Sequence, residues 1–84
     1  IPVLTEERRK ELTKTTKKMG EDAKIAIRNL RRDANEQLKK QEKEGELTED
    51  DLKKELDAVQ KVIEKAVKDI DDVVAAKDKE ILEL

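Results

Sequence analysis

Cysteine, histidine, serine, phenylalanine, tyrosine and tryptophan are all missing from this 84-residue chain. Their absence removes most of the side chains through which enzymes act. No disulfide, thiolate nucleophile, histidine-bearing zinc site or Ser/His/Asp triad can be assembled, and no enzymatic activity is expected. Without cysteine the redox compartment leaves no trace in the sequence, and without aromatics no ring is available for an unpaired base to stack on. Proline occurs once and glycine twice, too little punctuation for a chain of many short elements. No apolar run approaches the roughly 18 residues that a membrane span needs, and no charged-then-apolar signal segment opens the chain. A soluble chain without membrane partners is expected. Because it begins Ile1-Pro2 rather than with Met, it is also expected to be cut from something longer.

What is present is charge: half of the residues are Asp, Glu, Lys or Arg, and about a third are hydrophobic. Such a composition reads as long helix or coiled coil when apolar residues recur at helical spacing, and as disorder when they do not. Here the spacing is helical. Pro2 and Thr5 open a first helix, with Thr5 as N-cap and Glu6 and Glu7 in the first turn, where the helix dipole favours anions. That helix is predicted from about residue 5 to 44. Gly45 suits the left-handed residue that ends it. A turn over 45–48 follows, and "LTEDDL" restarts the chain: Thr48 and Asp51 stand at capping-box spacing, and Leu47 and Leu52 are placed as a hydrophobic staple. The second helix is predicted from about 49 to 83.

On the second helix Leu52, Leu56, Val59, Ile63, Ala66, Ile70, Val73, Lys77, Ile81 and Leu84 advance mostly by fours and threes, a heptad-like seam interrupted only at Lys77. Val62, Val67 and Val74 widen it enough to touch more than one neighbour. The first helix has a thinner stripe of Leu12, Met19, Ala23, Ala26, Ile27, Leu30, Ala34 and Leu38. Gly20, costly inside a helix, marks a close approach of a neighbouring helix. The fold class expected is therefore all-α, a single helical domain spanning 1–84: a long antiparallel hairpin that forms two helices of an elongated three-helix bundle. The third helix would come from a missing part of the chain, another chain or self-association.

Charge divides between the two halves. Residues 1–45 carry thirteen Lys/Arg against nine Asp/Glu, a net +4, and residues 46–84 carry seven against thirteen, a net −6. Every arginine lies on the first helix, and three of the five fall within "IAIRNLRRDAN", Ile25 to Asn35. In helical projection Lys24, Arg28, Arg31, Arg32 and Asn35 fall opposite the Leu12/Met19/Leu30 stripe, continued by Lys10, Lys14 and Lys17, with Ile25 among them. Guanidinium suits phosphate, offering a planar fork of donors and weak hydration. The competing reading is a solvated face tied by ion pairs such as Arg28 with Asp33 or Lys24 with Glu21, and charge alone favours that reading. The clusters Glu49/Asp50/Asp51 and Asp69/Asp71/Asp72 lack calcium-loop spacing, so no metal or cofactor is expected.

The segments "LTEERRKEL" at Leu4 to Leu12, "IAIRNLRRDAN", the turn "GELTEDDL", "VQK" at Val59 to Lys61 and the ending "KDKEILEL" resemble, in order along almost the whole chain, bacterial and organellar ribosome recycling factor. The resemblance implies the C-terminal two helices of that family's three-helix-bundle domain. The family's first helix and inserted β-rich domain are absent from this sequence. It further implies cytoplasmic location, contact with large-subunit ribosomal RNA, and action with elongation factor G in post-termination ribosome disassembly. Carried over by position, Arg28, Arg31 and Arg32 would be the rRNA-facing group, supported by Asn29, Asn35 and Lys24. With the first helix, the second domain and all aromatics absent, an alternative stands beside this: an engineered or excised helical scaffold from the same fold, without recycling activity and open to self-association.

Overall fold

The computed structural model describes residues 5–84, so Pro2 and the first residue of "LTEERRKEL" lie outside it. Two helices fill it: α1 over Glu6–Lys43 and α2 over Glu49–Glu83. The signals that set their ends are local. Thr5, in extended conformation, accepts the Arg8 amide on its hydroxyl at 3.0 Å, and Thr48 does the same for Asp51 at 3.0 Å. Each bond satisfies an amide that the first helical turn cannot.

At the other end of α1 the chain closes a Schellman motif. Gly45 takes φ 81°, its amide donates to the Glu42 carbonyl at 3.0 Å, and the Glu46 amide reaches back to Gln41 at 2.9 Å. An L side chain resists that left-handed geometry, so glycine stands where the turn requires it. Leu47 and Leu52, the staple pair, are both half-buried as the chain re-enters α2.

The helices fold back on one another into a rod of 65 × 15 × 14 Å. Burial traces the seam through Thr13, Thr16, Gly20, Ala23, Ile27, Arg31, Ala34 and Leu38 on α1 and through Leu52, Leu56, Val59, Ile63, Val67, Ile70, Val74, Asp78 and Ile81 on α2. Both series step by threes and fours, the spacing that keeps a seam on one side of a helix. Gly20 is buried because α2 passes over it: a Cβ there would lie 2.7 Å from Val74 Cγ2. Thr16 fits the seam by donating its hydroxyl to the Leu12 carbonyl at 2.9 Å, which leaves it without a polar demand on α2.

Two expectations about faces are corrected. The expected α2 seam ran through Val73, Lys77 and Leu84; the seam facing α1 runs instead through Val67, Val74 and Asp78, and Lys77 interrupts nothing. On α1, the stripe residues Met19 and Leu30 are 67% and 64% exposed, while Lys24, Arg31 and Asn35, expected on an outer face, are half-buried beside α2. The cause is that the seam of α1 is centred on Gly20 and Ile27, which turns Met19 and Leu30 to its open edge. The hairpin consequently has an open apolar side bearing Met19, Leu30, Val62 and Val73. Along it run grooves lined by Met19, Ala23, Ile70 and Val73 and by Leu30, Ala34, Val59 and Val62, with Arg31 at the edge of the second.

At the end of the rod away from the turn, Arg9 donates to the Leu84 carbonyl. The last turn of α2 has no basic residue of its own, so α1 supplies the cation that its C-terminal dipole favours. No described helix is long and apolar enough to cross a membrane.

Candidate nucleic-acid interface

The turn geometry of α1 separates two flanks of the seam. At about 100° per residue, Arg28 lies about 100° to one side of Ile27 and Leu30 about 60° to the other. The same holds on α2, where Gln60 and Glu64 lie on one flank of Ile63 and Val59 and Val62 on the other. Antiparallel packing brings like flanks together. The hairpin therefore has an apolar groove on one side and, on the other, a polar groove whose walls are Arg28 and Arg31 from α1 and Gln60, Glu64, Lys68 and Asp71 from α2.

Within the strip, Arg28, Asn29 and Arg32 are exposed, as is Ile25 between them; Lys24, Arg31 and Asn35 sit closer to α2. Lys24 is enclosed for a lysine, with 16% of its side chain exposed, and it pairs with Asp71 across the helices and with Glu21 at 3.4 Å within α1. The hydrogen bond to Asp71 raises its pKa above the ordinary lysine value. Desolvation opposes that rise, and the charges of Asp71 and Glu21 support it. Arg31 Nη1 donates to Gln60 Oε1 at 3.3 Å, and Gln60 Nε2 donates to Glu64 Oε1 at 3.1 Å. Asn35 Oδ1 is covered and has no hydrogen-bond partner among the described residues.

Ion pairs engage one end of the strip and leave the rest open. Lys18, Lys65, Lys77, Lys79 and Arg8 each pair with a carboxylate on their own helix, and Lys24 bridges the two helices. Among the described residues, Arg28, Arg31 and Arg32 form no such pair, although the chain carries 22 acidic residues. The Lys24–Glu21 pair forms; the Arg28–Asp33 pair does not. Asp71, which could have quenched the arginines, is taken by Lys24. Glu64 is held by the Gln60 amide. Three guanidinium groups thus gather on one flank without an ion pair; most of the described lysines also lack one, but guanidinium is the cation whose planar fork of donors suits phosphate.

Gln60 is the residue of this site that composition and charge do not single out. It is legible only as part of "VQK", because an uncharged side chain adds nothing to a charge count.

Comparison with known proteins agrees with the motifs. The family model described as Ribosome recycling factor matches residues 1–82. The chain is 60% identical over 82 residues to a protein of Staphylococcus epidermidis named ribosome-recycling factor, covering 98% of this chain and 45% of that protein. Proteins of the same name from Macrococcus caseolyticus and Halalkalibacterium halodurans are 60% and 57% identical over all 84 residues, again over 45% of their length. The chain thus spans a little under half the length of these relatives.

Proposed function

The chain belongs to the ribosome recycling factor family, and from that premise we propose that it is the ribosome-binding helical part of such a factor, with the arginine flank of α1 laid against large-subunit ribosomal RNA. Arg28, Arg31 and Arg32 supply the phosphate contacts. Asn29, Asn35 and Lys24 border them, with Lys24 acting chiefly by neutralising Asp71. Lacking aromatics, the strip reads backbone and shape rather than base identity. The intact factor acts in the cytoplasm with elongation factor G to take the post-termination ribosome apart. The open apolar side of the hairpin receives the third helix of the bundle. The observation that supports this reading is the gathering of three of the chain's five arginines on a single flank of α1, none of them in an ion pair among the described residues.

The test is binding to purified large ribosomal subunits at rising salt, using the full-length protein that carries these residues. Arg31→Ala combined with Arg32→Ala is expected to weaken binding tenfold or more. It should also flatten the dependence of log affinity on log salt by about 0.7 to 0.9 for each phosphate that the protein no longer neutralises. Unchanged affinity and slope would remove the arginines from the interface.

A further inference from the structure

Resting on that reading of the arginine flank, we infer that Gln60 of α2 is a positioning residue for Arg31: its amide holds the guanidinium at the groove wall and keeps the Glu64 carboxylate off it. The two hydrogen bonds run in series, Arg31 Nη1 to Gln60 Oε1 at 3.3 Å and Gln60 Nε2 to Glu64 Oε1 at 3.1 Å. Their direction is fixed by chemistry. Guanidinium has no acceptor and an ionised carboxylate has no donor, so only one orientation of the amide satisfies both neighbours. Arg31 and Glu64 line the same groove. A direct ion pair between them would cancel the charge that a phosphate is to meet. An interposed amide instead satisfies the carboxylate with a neutral donor and offers Arg31 a neutral acceptor, so that Arg31 keeps its full charge and its remaining N–H donors.

The rest of the groove is consistent with this division of labour. Asp71, the other acid on that wall, is occupied by Lys24, which leaves Glu64 as the carboxylate that Gln60 restrains. α2, acidic as a whole, thereby contributes a neutral residue at the point where its own charge would harm the site. Orientation matters as much as charge, because a long side chain held in one direction loses less freedom when its ligand arrives.

The experiment uses Gln60→Met in the full-length protein, with large ribosomal subunits as the probe. Met matches Gln in length and helix propensity but offers neither the amide donor nor its acceptor, so a role in packing alone survives the change. Gln60 is exposed, and folding should be intact, as the unfolding midpoint will show. Binding is expected to weaken about threefold, the size of effect a single hydrogen bond carries. In an Arg31→Ala background the same substitution is expected to add nothing. Wild-type affinity in Gln60→Met, or an equal further loss on top of Arg31→Ala, would overturn the positioning role while leaving the arginine interface standing. An Arg31→Ala chain that binds as the wild type does would instead overturn the interface itself, and the positioning role with it.

Discussion

Gly20 is where α2 packs tightly over α1, and the reason lies in one methyl group. Its missing Cβ leaves room for Val74 Cγ2, which would otherwise sit 2.7 Å away, with Ile70 Cγ2 at 3.8 Å. A β-branched side chain in a helix has essentially one χ1 well, so Val74 cannot turn aside. Gly20→Ala therefore sets a gain in helix propensity of about 1 kcal/mol against overpacking of about 1–3 kcal/mol. The expected net is a destabilisation of roughly 1 kcal/mol, read as a lower urea midpoint. Val74→Ala in the same chain should recover part of that loss, so the double substitution should cost less than the two single ones added. Simple additivity would mean that the helices do not meet through this pair.

At the scale of the elements, what could be read from sequence was what depends on near neighbours. The caps at Thr5 and Thr48 and the stop at Gly45 are set within four or five residues, and the structure has each of them. The direction each helix faces depends on its partner, and there projection failed in part. The stripe read on α1 includes Ile27, Ala34 and Leu38, which do turn towards α2, but also Met19 and Leu30, which do not, while Thr16 beside α2 lies outside it. A single apolar arc does not say which of two neighbours takes which edge. The same limit displaced Lys24, which projection put outside and the structure puts across from Asp71.

That pair carries a pH signature. The folded state raises the Lys24 pKa, chiefly through its hydrogen bond to Asp71. Its stabilising contribution is therefore present in full below the unfolded lysine value of about 10.4 and is lost as pH rises through the folded value. Urea denaturation of the wild type and of Lys24→Met at neutral pH and above about pH 11 checks this. The wild type is expected to be the more stable at neutral pH, with the gap closing on the alkaline side. A gap that stays constant would mean that Lys24 stabilises the hairpin through its methylenes alone.

For the whole molecule, the decisive feature is how little the two helices bury. Among the described residues, Gly20 and Ile81 are the buried ones, while Met19, Leu30, Val62 and Val73 are 60–67% exposed along one side. The excess width of the apolar arc on α2 was visible in the sequence as Val62 beside the seam; which residues would be left bare was not, since that follows from the register of packing. A third helix laid along this side would convert the open grooves at Met19–Val73 and Leu30–Val62 into a core, meeting Arg31 at the edge of the second groove and leaving Arg28 and Arg32 exposed on the other flank. Val62→Lys separates the two situations. In the 84-residue chain alone the lysine faces water, and a change within about 0.5 kcal/mol is expected. In a protein with the full length of the relatives, the same lysine would lose its hydration against the third helix, and the expected cost is about 2 kcal/mol or more. Urea denaturation of both proteins, each with and without the substitution, makes the comparison. Equal effects in the two would show that this side of the hairpin stays open to solvent, and that the bundle is completed somewhere else.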